Sequence, residues 1–199
     1  MTIYTIGHSN HPIEHLLKML ADAGIELVVD VRSSPYSRYA EHFNKEPLEA
    51  VLKGEGIGYR FLGLELGGRP ISEEFYDDGG RVRYDLVAQT EAFQAGIRTL
   101  LDEAGQRKTA LLCGEESPVA CHRRLLVGRV LMEMGIEVAH IRGDGRIQSE
   151  EEVVREEAAT KGDESQMALF NVEEPREWKS TQSVSPRKTP RAAQPMVLE

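Results

Sequence analysis

Short β-branched apolar runs alternate along this chain with longer stretches of helical period, the pattern of a parallel sheet with crossover helices. Ile3-Tyr4-Thr5-Ile6 is the first run and stops at Gly7. A helix follows Asn10, with Pro12 in its first turn, an apolar stripe of Ile13, Leu16, Leu17 and Leu20, and Gly24 at its end. Leu27-Val28-Val29-Asp30-Val31 is apolar on both faces apart from Asp30, which is how a buried parallel strand reads. These three elements form one right-handed βαβ unit. The stretch from Ser33 to Asp85 is less regular, with a short helix around Pro47 to Lys53, a strand near Tyr59 to Leu62 and the glycine-rich run Gly63 to Pro70. Beyond it the pattern predicts a helix from Thr90 to Ala104, a strand over Thr109 to Cys113, a helix over Val119 to Met134 and a strand over Glu137 to Ile141. The fold expected is α/β: a Rossmann-like open, mostly parallel sheet with helices on both faces and an irregular insertion. Residues 1–159 form the domain and 160–199 a flexible tail, because Ser180 to Pro190 has no hydrophobic period.

Composition adds limits. The chain has 199 residues and a formal charge of −9, and the tail carries six basic and six acidic residues, so the body holds the whole negative balance. Such a body repels a phosphate backbone and argues against broad duplex binding, unless Arg32, Arg38, Arg69 and Arg123 make a local positive pocket. No apolar run approaches the ~20 residues that span a bilayer, and the amino-terminal Met1-Thr2-Ile3-Tyr4 does not read as a secretion signal. A cytoplasmic location is therefore expected, with no membrane partner and with Cys113 and Cys121 reduced.

In open α/β sheets the ligand lies beyond the carboxyl ends of the strands, so the residues that follow each strand carry the candidate chemistry. Gly7-His8-Ser9-Asn10 offers backbone N–H groups, a hydroxyl and an imidazole to an anion, unless Ser9 or Asn10 only caps the next helix. Arg32 is placed to hold a phosphate or carboxylate, and its structural alternative is a salt bridge to Asp30 or Glu115. Cys113, at a strand end before a helix, sits where a thiol pKa falls, although Glu115 and Glu116 oppose a thiolate. No Arg stands six positions after either cysteine, since Val119 and Val127 are there, so the Cys-to-Arg phosphatase loop is absent.

Cys121-His122-Arg123 falls in the first turns of the following helix, where one side chain faces the cleft and another packs. A metal site would combine Cys113, Cys121, His122 and His8, but seven residues between the cysteines match no familiar zinc spacing, so no metal is assigned. Glu115 is a candidate acid or base, or else an anchor for the next helix's arginine. In the insertion, Tyr36, Arg38, Tyr39, His42 and Phe43-Asn44 mix aromatic with basic groups suited to stacking a base or covering a substrate. Gly67-Gly68-Arg69-Pro70 is a close-approach loop or a plain turn.

Thr5-Ile6-Gly7-His8-Ser9, Val29-Asp30-Val31-Arg32 with Pro35 and Ser37, Phe43-Asn44, Leu66-Gly67-Gly68, and Cys113-x-Glu115 with Pro118 and Cys121-His122-Arg123 resemble the signatures of the domain of unknown function 488 family, in order from about Thr2 to Gly145. That resemblance implies a Rossmann-like domain with a shared polar site of His8, Ser9, Asp30, Arg32, Ser37, Cys113, Glu115, Cys121, His122 and Arg123. In the tail, Gln166-Met167-Ala168-Leu169-Phe170 is similar to the peptide by which bacterial replication and repair proteins hook onto the DNA sliding clamp. There Gln166 would make a hydrogen bond while Leu169 and Phe170 fill an apolar pocket.

Taken together, the expected function is a Cys/His/Arg/Glu cleft for a phosphate-bearing small molecule or single nucleotide, linked to DNA maintenance. Cys113, Glu115, His8 and His122 are its catalytic candidates; Ser9, Asp30, Arg32, Ser37, Cys121 and Arg123 are its ligand-binding ones. No cofactor is named. The alternatives are an adaptor recruited through its tail and a thiol-dependent redox or sulfur-transfer protein.

Overall fold

The computed structural model describes residues 1–160 and 178–187. Six strands form one sheet in the order β3-β2-β4-β1-β5-β6. They are β1 (Thr2–Gly7), β2 (Leu27–Asp30), β3 (Gly58–Phe61), β4 (Thr109–Cys113), β5 (Glu137–Ile141) and β6 (Ile147–Ser149). Every neighbouring pair is parallel except β5 and β6. The order reverses between β1 and β2, with β4 inserted between them, and this is the position where an open parallel sheet leaves a crevice at its carboxyl edge.

Strand alternation divides the apolar side chains between two cores. Ile3, Leu27, Val29, Leu111 and Val138 face one, completed by Tyr84 and Val87 of α3 (Tyr84–Val87), by Phe93, Ile97 and Leu100 of α4 (Glu91–Ala104) and by Leu126, Val127 and Leu131. Ile6, Val28, Ala110, Leu112 and Ile141 face the other, completed by Leu16 and Leu20 of α1 (Ile13–Asp22) and Leu48 and Leu52 of α2 (Lys45–Gly54). Helices therefore cover both faces, as the apolar pattern predicts. Thr90 caps α4 by accepting the Phe93 N–H at 3.2 Å.

Four local features differ from the sequence expectation. Pro12 stands at the start of α1 without a side-chain cap, so neither Ser9 nor Asn10 caps it; Ser9 instead adopts a left-handed φ of 46°. The helix expected from Val119 begins at Arg123, as a wide π-type turn over Arg123–Gly128 that runs on into α5 (Arg129–Glu133). β6 and α6 (Glu150–Thr160) extend the domain beyond the last predicted strand. The stretch expected to lack structure from Ser180 packs on the body as far as Arg187. Trp178 Nε1 donates to the Leu125 carbonyl at 2.6 Å, Ser180 N donates to Val82 O at 2.8 Å, and Val184 N donates to Gly80 O at 2.9 Å. Among the described residues, no helix is long and apolar enough to cross a membrane.

Candidate functional site

At the carboxyl edge of β1, β2 and β4 lies a cleft of about 390 Å³. Its wall takes residues from six separated stretches: His8, Arg32 to Ala40, Gly68 with Arg69, Tyr84, Cys113 to His122, and Ser180 to Val184. The volume is in the range of small-ligand sites, which run to ~300–1,000 Å³.

Asp30 and Arg32 form the first anchor. Asp30 is fully buried and accepts from Arg32 through Oδ1 (2.9 Å from Nε) and Oδ2 (2.6 Å from Nη2), and from the Tyr59 hydroxyl at 2.7 Å. Arg32 also donates from Nη1 to the Phe43 carbonyl at 2.8 Å and to His8 Nε2 at 3.1 Å. Burial works against its charge, and Asp30 more than offsets this, so the guanidinium is firmly cationic. The salt-bridge partner of Arg32 is Asp30 and not Glu115. Asp30 is a support beneath the cleft and not a wall residue.

His8 is locked from both sides. Its Nδ1–H donates to the Ser9 carbonyl at 2.7 Å, so Nε2 is the acceptor for Arg32, and the ring stacks on Phe43 with centroids 4.2 Å apart. Burial first, and the Arg32 charge second, lower its pKa to about 4. Both nitrogens are engaged, and His8 is a neutral wall group at neutral pH, without a free lone pair for proton transfer.

Cys113, Cys121 and His122 make the floor. Both cysteines are reduced and buried, and the two sulfurs and an imidazole nitrogen lie within 4.8 Å of one another. His122 Nδ1 is 3.7 Å from Cys113 Sγ and 4.0 Å from Cys121 Sγ, while His122 Nε2 donates to the Val31 carbonyl at 2.9 Å. A hydrogen bond from the Cys121 thiol, with His122 and Arg123 adding to it, pulls the Cys113 pKa well below that of a free thiol. Burial and the neighbouring Cys113 push the Cys121 pKa well above it. Burial disfavours charge on His122, and the Cys113 thiolate outweighs it, so the His122 pKa is raised. Gly68 packs against this ring: a Cβ there would stand 2.5 Å from His122 Cγ, so the glycine loop is a close approach.

Arg123 departs most from expectation. It is fully buried and holds the loop after β4 by donating to the carbonyls of Glu115 and Glu116, the latter at 2.6 Å, and to Thr5 Oγ1 at 3.3 Å. It shapes the cleft from behind and does not line it. The Glu115 carboxylate is exposed at the cleft wall, and its backbone carbonyl is what anchors the arginine. Glu116, expected to oppose a thiolate, is drawn away to Arg142 Nε at 3.2 Å and Gly143 N at 2.9 Å. Ser37 is exposed at the rim, accepting from Tyr39 N at 3.1 Å. Ser9 donates its N–H to Gly114 O at 2.9 Å, so its backbone braces the loop and its side chain is not in the cleft wall. Of the four arginines expected to form a positive pocket, Arg32 and Arg69 line the cleft, and Arg38 and Arg123 do not.

The profile described as Domain of unknown function DUF488 matches residues 12–130. The chain belongs to this family. The matched stretch includes Arg32, Ser37, Cys113, Glu115, Cys121 and His122, whereas His8, Ser9 and the strap 178–187 lie outside it. No curated protein and no solved structure matches the chain. The wall residues that sequence reasoning missed, Tyr84, Ser180, Gln182 and Val184, had one signal available: the chain's single tryptophan, Trp178, stands at the head of an otherwise polar segment.

Proposed function

We propose that this DUF488 protein is an enzyme acting on a small phosphate-bearing ligand of nucleotide size held in the cleft, with the Cys113, Cys121 and His122 floor as its chemical end. The observation that carries this reading is the convergence of six distant stretches of chain on one concave, polar wall at the sheet's switch point. Tyr36, 56% exposed at the rim, offers a stacking face, Arg69 a cation for phosphate, and Glu115 a carboxylate for proton transfer. Arg32 acts by holding His8 and the β2 end in place, because Asp30 engages its fork.

Thermal shift against adenosine monophosphate, adenosine triphosphate and pyrophosphate tests the reading. A ligand at ~100 times its Kd stabilises by about 2.7 kcal/mol, which moves the midpoint visibly. At least one of these ligands should raise the midpoint of the wild type and fail to raise that of Arg69→Ala. No shift with any of them, or an equal shift in the variant, sinks it.

A thiol-dependent redox role is the second reading, favoured by two reduced sulfurs side by side. It requires that mild oxidation join Cys113 to Cys121 reversibly and that the product reoxidise a dithiol substrate. Recruitment to DNA maintenance rests on Gln166, Leu169 and Phe170, which lie outside the described residues. A sliding-clamp pull-down comparing the full chain with a Gln166→Ala, Leu169→Ala, Phe170→Ala triple variant decides it.

A further inference from the structure

We infer that Cys113, Cys121 and His122 are three ligands of a thiophilic divalent metal ion of the zinc class, whose fourth position opens into the cleft. The inference rests on the reading of the cleft as a small-ligand site and adds the cofactor that would sit on its floor.

Donor geometry is the first support. Zinc bonds of about 2.3 Å to sulfur and about 2.0–2.1 Å to nitrogen, at tetrahedral angles, separate S from N by about 3.5 Å and S from S by about 3.8 Å. The two S···Nδ1 separations here are 3.7 and 4.0 Å, and the full set fits within 4.8 Å. Both S···Nδ1 pairs reach the zinc value by closing about 0.2 to 0.5 Å, and the two sulfurs, within 4.8 Å, need close by no more than about 1 Å.

The second support is the orientation of His122. Its Nε2–H donates to the Val31 carbonyl, which leaves the Nδ1 lone pair on the side of the two sulfurs. A carbonyl that fixes the tautomer of a ligating imidazole is the usual outer partner of a metal-bound histidine. Gly68 packs closely on the same ring, where an added Cβ would stand 2.5 Å from His122 Cγ, so the ring has little room to turn away.

Charge is the third. Bound as thiolates, Cys113 and Cys121 would bring two negative charges to a buried floor, and the nearby guanidinium of Arg123 has its donors directed to Thr5, Glu115 and Glu116. A divalent ion with two thiolates and a neutral imidazole is a neutral unit. Soft sulfur donors select zinc-class ions over magnesium or calcium.

The remaining position is not filled by His8, although it lies nearby. Its Nε2 lone pair accepts from Arg32 and its Nδ1–H is given to Ser9 O. The fourth place therefore falls to water or to an oxygen of the cleft ligand, the arrangement of a Cys2His site with an open coordination position. The C-x7-C-H spacing is unlike a zinc knuckle because its two halves come from different elements: Cys113 from the end of β4, and Cys121 with His122 from the turn that starts the next helix.

Cobalt(II), added to the reduced, chelator-treated full chain, is the probe. The wild type should bind one ion per chain with a thiolate-to-cobalt charge-transfer band in the near ultraviolet and the strong visible bands of a tetrahedral site. Cys113→Ser, Cys121→Ser and His122→Gln should each weaken binding by more than about 100-fold, beyond what loss of an outer partner costs, while His8→Gln leaves the band in place. In the unmutated protein, zinc should shield both thiols from a disulfide reagent, a readout that does not depend on any variant folding. Absence of the band in the wild type, or an undiminished band in a folded Cys113→Ser, overturns the inference. Adenosine monophosphate binding that persists in chelator without a cobalt band sinks the metal alone. A cobalt band with no nucleotide binding sinks the ligand reading alone.

Discussion

Protonating His8 is a perturbation whose cost can be worked from its surroundings. The ring is 8% exposed, its Nε2 accepts from the Arg32 guanidinium, and burial together with that charge lowers its pKa from 6.5 to about 4. The folded state therefore refuses a proton that the unfolded chain accepts. Above the unfolded pKa both states are neutral and the full stability is present; as the pH falls from 6.5 toward about 4, the unfolded state alone gains the proton and stability is lost. At about pH 5 the difference in proton binding comes to about 2 kcal/mol, and below the folded pKa it levels off near 3 kcal/mol. His140, whose pKa burial also lowers, contributes in the same direction, so the quantity to compare is the wild type minus His8→Gln. Glutamine can still accept from Arg32 but has no titrating proton. Urea unfolding at about pH 7.5 and about pH 5 should show the wild type losing about 2 kcal/mol more than the variant. Parallel losses in the two proteins would refute the lock on His8.

Three further outcomes follow from the same contacts. Asp30→Asn removes the charge that pairs with buried Arg32 and should cost about 3–5 kcal/mol in urea unfolding; a cost under 1 kcal/mol would mean that the pair is not a support. Arg123→Met leaves the Glu115 and Glu116 carbonyls without their donor and should cost about 3 kcal/mol in urea unfolding, with faster amide hydrogen exchange across Gly114 to Ser117 as the loop loosens; unchanged exchange there would sink the bracing role. Gly68→Ala drives a Cβ into the His122 ring and should abolish the cobalt band at a smaller cost in stability than Arg123→Met; a retained band would show that the ring's position is not set by that loop.

Much of the sheet is legible because buried parallel strands are apolar on both faces, as Leu27 to Val31 and Thr109 to Cys113 are. The polar strand ends were legible for the same reason: once the strands are placed, His8, Arg32 and Cys113 fall at one edge. The roles of the arginines were not. A guanidinium that holds a ligand and one that holds loop carbonyls have the same residue type and position, and Arg123 meets carbonyls of Glu115 and Glu116 that only the folded loop presents. The helix start was displaced because the stretch from Pro118 to Cys121 forms a turn, with Cys121 N donating to Pro118 O at 3.1 Å, and this turn delivers Cys121 and His122 to the floor. The strap 178–187 has no period because it is held by Trp178, backbone hydrogen bonds and a Lys179–Asp77 ion pair, with no amphipathic face to read.

The central claim, that the cleft at the strand ends is where this protein holds its ligand, is tested most directly by amide chemical-shift mapping with adenosine monophosphate on the isotope-labelled full chain. Saturable shifts should concentrate at Gly7 to Asn10, Arg32 to Ser37, Gly68 to Arg69, Cys113 to His122 and Ser180 to Val184. Shifts confined to the opposite edge of the sheet, or none at saturating nucleotide, would contradict it.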